Sequence, residues 1–240
     1  MKANLPRDEL LHVLSDARLR AHPSKSWLLP PEKTGRMARL WARRYYRGCL
    51  GRSFQHTQTF ATATGRGAAD ILDSAQFAGF VDECVLGAFD SARRVGEMAR
   101  VHLDGAAHPG AWWRDLVAYE YFWFLQEATT ESAARIRRHQ RGVSAVCQTF
   151  AWLVSRILER LRAGEAVPND LHQECTLLFS RGADGRVVVV EMERDAAAVF
   201  RATNGYRTVE QVATAAAVPQ DLAATVLEQL EEIGAIVPPA

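Results

Sequence analysis

Glu120 is the residue whose surroundings most suggest specialised chemistry. It interrupts the segment 111–128, AWWRDLVAYEYFWFLQEA, which is apolar around most of a helix. Burying a carboxylate is costly unless the group has a partner. The sequence leaves two interpretations open: Glu120 helps to bind a partner protein, or it pairs with an arginine on a neighbouring helix.

The same segment carries more aromatic side chains than one core-facing side of a helix needs. Trp and Tyr dominate the energetics of protein interfaces, so part of this cluster is a candidate contact for a partner, with Trp112 and Trp113 in first place. The alternative is that the cluster is core. Its members are Trp112, Trp113, Tyr119, Tyr121, Phe122, Trp123 and Phe124.

Two groups of arginines could bind anions. The first has helical spacing and forms one stripe, Arg36, Arg39, Arg43 and Arg47; the second consists of Arg135, Arg137, Arg138 and Arg141. A solvated helix face is one interpretation. An acidic patch on a partner, an acidic peptide or nucleic-acid phosphate are the others, and each would give a salt-dependent association. We assign Arg39, Arg43 and Arg47 to a partner interface.

The motifs of common enzymes are missing from the sequence. It contains no GxSxG, P-loop, HExxH or GxGxxG pattern, and no His stands at metal-ligand spacing with Cys, Asp or Glu. The four cysteines are dispersed without a CxxC pair, which favours a reducing, cytoplasmic setting. No apolar run is long enough to span a bilayer. We therefore expect no catalytic residue, no bound metal and no membrane segment.

The charge is distributed unevenly along the 240 residues. The whole chain has a net charge of +1, which argues against a general nucleic-acid coat protein. Residues 166–240, however, contain five Arg, no Lys and eleven acidic residues, a net charge of −6, so residues 1–165 carry +7. Opposite signs suggest two modules, 1–165 and 166–240, divided near the turn-forming Gly164 and Pro168.

The first module is predicted to be a helical bundle. Apolar residues at helical spacing predict helices over 7–20, from 34 onward, and over 74–89, 90–103, 111–128 and 142–162. The last of these has the clearest period of 3.6 residues in the chain. No strand is predicted before residue 170.

The second module changes its period. Residues 175–180 and 187–190 are typical of strands, and Asp184-Gly185 between them is a strong hairpin signal. Three short helices follow, the second opening with a capping-box pattern at Thr208 and the third opening at Pro219, and a strand ends the module at 235–237. The predicted fold class is mostly α with a small α+β part: an N-terminal helical bundle and a C-terminal winged-helix-like domain.

A winged helix usually places its last helix in the DNA major groove. Here that helix, PQDLAATVLEQLEEIG, carries four acidic residues and no Lys or Arg. Phosphate would repel such a helix, so nucleic acid is an improbable partner for this module. A hairpin edge beside a helix can instead accept an extended peptide as an additional strand.

The stretch from Glu174 to Val237 resembles the PqqD-like leader-peptide-binding domain, the RiPP recognition element. The resemblance rests on the hairpin, on Asn204-Gly205-Tyr206-Arg207-Thr208-Val209, and on Leu227 to Leu230 with Ile233-Gly234-Ala235-Ile236. In that family the peptide lies beside the last hairpin strand and against the third helix. The resemblance therefore implies a groove formed by Val187, Val188, Val189, Val190, Glu191, Met192, Leu222, Thr225, Val226 and Gln229. The alternative is that its valines and leucines are core.

The first module, from Arg39-Leu40 through Tyr45-Tyr46 and in Trp112 to Tyr121, resembles the helical domain of partner subunits of multinuclear non-haem iron-dependent oxidative enzymes. The resemblance implies a non-catalytic subunit without a cofactor of its own, the iron belonging to a TIM-barrel partner enzyme. Such a subunit would present a cysteine of a ribosomal precursor peptide to the iron enzyme. The reaction implied is 3-thiaglutamate-type β-carbon excision, or as a second choice methanobactin-type oxazolone and thioamide formation. The alternative is a two-module DNA-binding transcriptional regulator.

Overall fold

The computed structural model describes residues 7–21, 31–105, 108–130, 139–182 and 184–237. Most of the second arginine group, Arg135, Arg137 and Arg138, lies outside these ranges. The first part of the chain is helical, as predicted. It contains α1 (Arg7–Ser15), α2 (Ala17–Arg20), α3 (Pro31–Ser53), α4 (Gln55–Thr59), α5 (Ala61–Thr64), a 3₁₀ helix (Ala68–Asp73), α6 (Ala75–Phe80), α7 (Phe89–Asp104) and α8 (Trp113–Ala128).

Two predicted helices are shorter than their apolar pattern suggests. The first is divided at Asp16, whose carboxylate accepts the backbone N–H of Arg18 and so caps α2. The predicted helix over 74–89 is only α6, because the chain leaves the helix at Val81 and runs through turns to Ala88. Helix α7 ends at Gly105, as predicted.

The rest of the chain alternates strands and helices. It contains β1 (Gln140–Arg141), β2 (Val146–Phe150), α9 (Val154–Arg162), a 3₁₀ helix (Asn169–Leu171), β3 (Cys175–Arg181), β4 (Val187–Glu191), α10 (Arg194–Ala202), α11 (Val209–Ala216), α12 (Gln220–Glu232) and β5 (Ile236–Val237). Strands β2, β3 and β4 form an antiparallel sheet in that order, and β1 pairs with β5.

The prediction of a single helix over 142–162 is wrong. Residues Val146–Phe150 form β2, which pairs with β3, and only Val154–Arg162 is helical. The helical spacing of Val146, Phe150 and Leu153 was coincidental. Val146 and Phe150 pack against the helical core and Cys147 packs against the C-terminal core, so the strand lacks the alternation of apolar and polar residues that would have revealed it.

The central sheet separates two hydrophobic cores. Phe150, Leu177 and Phe179 face α8 and belong to the core of the helical part, whereas Leu178 joins the core formed by α10, α11 and α12. This follows from the period of two in a strand, which sends successive side chains to opposite faces. The predicted boundary at 165–166 falls between β2 and β3, which are neighbours in one sheet. The division into domains 1–165 and 166–240 remains a prediction.

The local signals in the last third of the chain are present in the structure. The Thr208 hydroxyl accepts the N–H of Gln211, and the Gln211 side chain accepts the N–H of Thr208, which completes the predicted capping box. Gly234 ends α12 with φ 71° and packs against the carbonyl of Arg181, a position without room for a side chain. The fold is mostly helical with a small sheet part, as predicted, and the more specific winged-helix assignment belongs to the proposal below.

Candidate functional site

Strand β4 forms one edge of the three-stranded sheet. Among the described residues it has a strand partner on one side only, β3. Two hydrogen bonds fix its backbone orientation: the N–H of Met192 donates to the carbonyl of Thr176 at 2.8 Å, and the N–H of Gly182 donates to the carbonyl of Arg186 at 2.9 Å. Arg186 and Met192 therefore direct their backbone groups towards β3, and so do the residues at even positions between them.

The odd positions of β4 consequently direct their backbone groups away from the sheet. These are Val187, Val189 and Glu191, opposite Arg181, Phe179 and Leu177 of β3. An incoming strand could exchange hydrogen bonds with the N–H and C=O groups of these three residues. The site is thus a row of backbone donors and acceptors about two residues apart.

The side chains of β4 are divided between the two faces of the sheet. Val189 packs against the helical core, and Val187 and Glu191 share its face. Val188, Val190 and Met192 lie on the other face, where Met192 packs against the C-terminal core. The four valines and Met192 are half-buried and Glu191 is exposed. An apolar surface therefore adjoins the open backbone edge on both faces.

Helix α12 supplies the other predicted groove residues. Val226 is only 5% exposed and packs with Leu227 and Leu230 in the C-terminal core. Leu222, at 36% exposure, and the exposed Thr225 and Gln229 lie on the neighbouring turns. The structure thus assigns Val226 to the core and leaves the other three side chains accessible, while peptide binding by any of them remains a prediction.

The arginine stripe lies along α3. Arg36, Arg39 and Arg47 are exposed, and Arg43 lies 3.6 Å from Asp73 in an ion pair whose two side chains are largely solvated. Between α3 and α6 runs an open groove of about 370 Å³, lined by Glu32, Arg36, Arg39, Leu40, Arg43 and Ala78. Leu40 is 61% exposed there. The surface combines positive charge with an exposed aliphatic side chain.

The two candidate interface tryptophans lie inside the helical core. Trp113 is 0% exposed and donates its ring N–H to the carbonyl of Leu103, and Trp112 is 8% exposed. Both rings pack on Phe60, at centroid distances of 5.7 and 5.8 Å. Packing in the core accounts for these residues, and neither presents its ring to a partner in this conformation.

Glu120 is also fully buried, with 0% exposure. Its carboxylate accepts the backbone N–H of His56 at 2.6 Å, the N–H of Thr57 at 3.2 Å and the hydroxyl of Thr57 at 2.6 Å. These groups open α4, whose N-cap, Phe54, has no side-chain oxygen to offer. The expected arginine partner is replaced by backbone amides, and the side chain cannot reach a partner protein here.

Burial raises the pKa of Glu120 to about 8, although its three hydrogen bonds act in the opposite direction. A raised pKa often marks a catalytic carboxyl. Here the group lies at a helix start inside the core and is 0% exposed, so a structural role explains it.

Part of the aromatic cluster of α8 borders the sheet on the helical side, a position that was not predicted from the sequence. The Tyr119 ring lies 5.3 Å from that of Phe179, and the half-buried Trp123 lies 6.1 Å from Tyr119. Arg181 of β3 joins the end of α8 to the sheet, because its guanidinium donates to the carbonyls of Gln126 and Thr129 at 3.0 and 2.7 Å. That α8 packs on β3 and β4 becomes apparent only once these strands are paired in the structure.

The described residues offer no cluster of three or more His, Cys, Asp or Glu side chains that could hold a metal ion. Cys49, Cys84, Cys147 and Cys175 are all free thiols. None of the helices in the described ranges is both long and apolar enough to cross a membrane.

No protein-family model and no curated protein matches the chain. The two resemblances described above therefore remain predictions, and the geometry of the β4 edge is the firmest basis for a functional conclusion.

Proposed function

We propose that this chain is a non-catalytic accessory subunit in the maturation of ribosomal peptides. It binds the leader of a precursor peptide along the open edge of β4 and presents the peptide's cysteine to a TIM-barrel iron oxidase in the cytoplasm. The observation that carries this proposal is the outward-directed backbone of Val187, Val189 and Glu191 beside half-buried valines. The chemistry favoured is 3-thiaglutamate-type β-carbon excision, with methanobactin-type oxazolone and thioamide formation second.

The β4 edge suits a peptide better than the opposite edge of the sheet does. Open edges normally carry charges or other features that prevent pairing with a stray strand. At the β2 edge, the guanidinium of Arg201 lies 3.4 Å from the hydroxyl of Thr149. At the β4 edge, four consecutive valines leave an apolar strand with available backbone groups. We infer that β4 is kept available because it pairs with a ligand.

The charge of α12 supports a peptide over DNA. The helix contains Asp221, Glu228, Glu231 and Glu232 and neither Lys nor Arg, and the first, second and last of these side chains are exposed. A phosphate backbone would be repelled by this surface, whereas a peptide leader, especially one with basic residues, would not. The DNA-binding regulator remains the alternative that the experiment below can detect.

The helical part would dock on the iron enzyme. The exposed side chains of Arg39, Leu40 and Arg47 on α3 suit an acidic surface that also offers an apolar contact. Because one part of this chain holds the leader and another part holds the oxidase, the local concentration of the cysteine at the iron is raised, and a modest affinity for the leader is sufficient.

Titration of the purified protein with a synthetic leader and with duplex DNA tests the proposal. The probe is the leader of a short cysteine-bearing precursor, which we expect to be encoded beside this chain's gene, and a scrambled leader is the control. We expect saturable binding of the authentic leader only. Saturable binding of DNA at physiological salt, without binding of the leader, would contradict the proposal.

A further inference from the structure

A strand bound at β4 would lie between two walls made of different parts of the chain. This inference rests on the proposed function. Side chains opposite each other on adjacent antiparallel strands point to the same face. A peptide residue opposite Val189 therefore faces the helical part, as Val189 does, and its two neighbours face the side of α10, α11 and α12.

Helix α8 places its aromatic side chains across the sheet in order. Phe122 contacts Phe150 of β2 at 6.4 Å and Phe179 of β3 at 5.6 Å, and Tyr119 contacts Phe179 at 5.3 Å. Each residue of an α-helix is rotated by about 100° from the preceding one. In this rotation Tyr119 lies about 60° and Trp123 about 100° beyond Phe122. The side chains of Phe122, Tyr119 and Trp123, taken in this order around the helix axis, therefore point progressively from β2 past β3 towards β4.

Trp123 is consequently the aromatic residue of α8 that lies furthest towards the open edge. Helix α8 packs on both β3 and β4, which brings its β4-facing side close to the edge strand. The Trp123 ring is half-buried and its ring centroid lies 6.1 Å from that of Tyr119, at an interplanar angle of 38°. The half-buried ring therefore leaves part of a large apolar surface accessible, and its direction on α8 places it on the side of the helix that faces β4.

We propose that Trp123 is a specificity-determining residue of the peptide site. The ligand is an extended peptide segment with a large apolar side chain opposite Val189, which packs against Trp123 on the helical side. The residues before and after it face the side of the C-terminal helices, where we expect the exposed Leu222 and the acidic Asp221 and Glu228 of α12 to favour aliphatic or basic side chains. The helical part thus contributes to recognition of the peptide as well as to docking of the enzyme.

Photo-crosslinking of the wild-type protein tests this alternation without any variant. The probe is the synthetic leader with a photoreactive phenylalanine analogue placed at one position at a time along the segment that binds. We expect successive positions to crosslink alternately to fragments containing α8 and to fragments containing α12. Crosslinks from every position to the C-terminal helices alone would overturn the inference.

A variant provides an independent check. Trp123→Ala should weaken binding of the leader about tenfold, and Trp123→Phe by less, because a phenyl ring retains most of the apolar contact. The leader with alanine opposite Val189 should bind wild type and Trp123→Ala equally. Loss of affinity for both leaders by the same factor, or for neither, would contradict the assignment, and thermal melting confirms that each variant is folded.

The two proposals fail in different ways. Binding of the leader with one-sided crosslinks would refute the role of Trp123 and leave the proposed function intact. Absence of any binding of the leader to wild type would refute the proposed function, and the assignment of Trp123 with it.

Discussion

Met192 donates its backbone N–H to the carbonyl of Thr176 at 2.8 Å, and this hydrogen bond sets the orientation of the whole β4 edge. Because hydrogen-bonded and non-hydrogen-bonded pairs alternate along an antiparallel ladder, Glu191 and every second residue before it face outward. A shift of one residue in the register would exchange the outward and inward groups and turn Val189 out of the helical core. The location of the site is therefore a consequence of strand register, which depends on contacts distant in sequence.

The difference between Leu222 and Val226 gives the first prediction. Leu222→Ala should leave the free energy of unfolding nearly unchanged and weaken binding of the leader several-fold, because the Leu222 side chain is exposed on α12. Val226→Ala should cost roughly 2 kcal/mol of stability, because Val226 is packed in the C-terminal core. Urea unfolding and titration of the leader measure the two quantities. Equal losses of stability would show that Leu222 is also core.

The arginine stripe gives a prediction about the partner enzyme. Arg39→Glu and Arg47→Glu should weaken association with the iron oxidase, and the wild-type association should weaken as salt is added. Arg114→Glu, an exposed charge reversal on α8, is the matched control and should have little effect. Surface plasmon resonance at low and high salt measures the affinity of the wild type and of each variant for the oxidase. If all three charge reversals weakened the association equally, the net charge of the protein and not the α3 surface would be responsible for binding the oxidase.

Glu120 predicts a dependence of stability on pH. Its pKa is raised from the ordinary 4.5 to about 8 in the folded protein. The folded state therefore binds more protons than the unfolded state between these values, so the contribution of Glu120 to stability decreases as pH rises from about 4.5 to about 8.

Glu120→Gln should remove that slope, because the amide does not titrate. Glu120→Ala should destabilise the protein at every pH, because it removes the acceptor of the N–H groups of His56 and the buried Thr57. Urea unfolding of the wild type and both variants across this range is the measurement. A slope of the same size in Glu120→Gln would assign the pH dependence to another group.

Two helical glycines predict opposite effects of the same substitution. An added Cβ at the buried Gly96 would lie 2.8 Å from the Tyr121 ring and 3.0 Å from that of Phe124, where α7 and α8 are in close contact. Gly96→Ala should therefore cost about 1–3 kcal/mol. At the exposed Gly79 a Cβ would meet nothing within 4 Å, so Gly79→Ala should stabilise by up to about 1 kcal/mol. Thermal melting distinguishes the two, and similar shifts would contradict this packing of α7 on α8.

Local sequence signals predicted the parts of the fold that local chemistry determines. The Asp-Gly hairpin, the capping box at Thr208 and the end of α12 at Gly234 each depend on residues that are close in sequence. Strand β2 depends instead on pairing with β3, from Val146 with Phe179 to Phe150 with Cys175. Its apolar residues on both faces gave a misleading helical period.

The candidate site, like β2, depends on contacts between residues that are distant in sequence. The valines of β4 and the exposed residues of α12 could be proposed from a family resemblance, but which backbone groups face outward required the register. Trp112, Trp113 and Glu120 looked unusual because their sequence neighbours are apolar, and the structure explains that pattern by burial. Trp123 could not be separated from the other aromatic residues until the sheet under α8 was known.

Substitution of Glu191 by proline tests the central claim most directly. The Glu191 side chain is exposed and its N–H points away from β3, so proline there removes one donor to an incoming strand and leaves the ladder with β3 intact. Glu191→Ala, which removes the side chain and keeps the N–H, is the matched control. We predict that titration with the leader shows a loss of about tenfold or more for Glu191→Pro and a small change for Glu191→Ala, with both variants melting close to wild type. Unchanged affinity of a folded Glu191→Pro would contradict binding of the peptide as a strand at this edge.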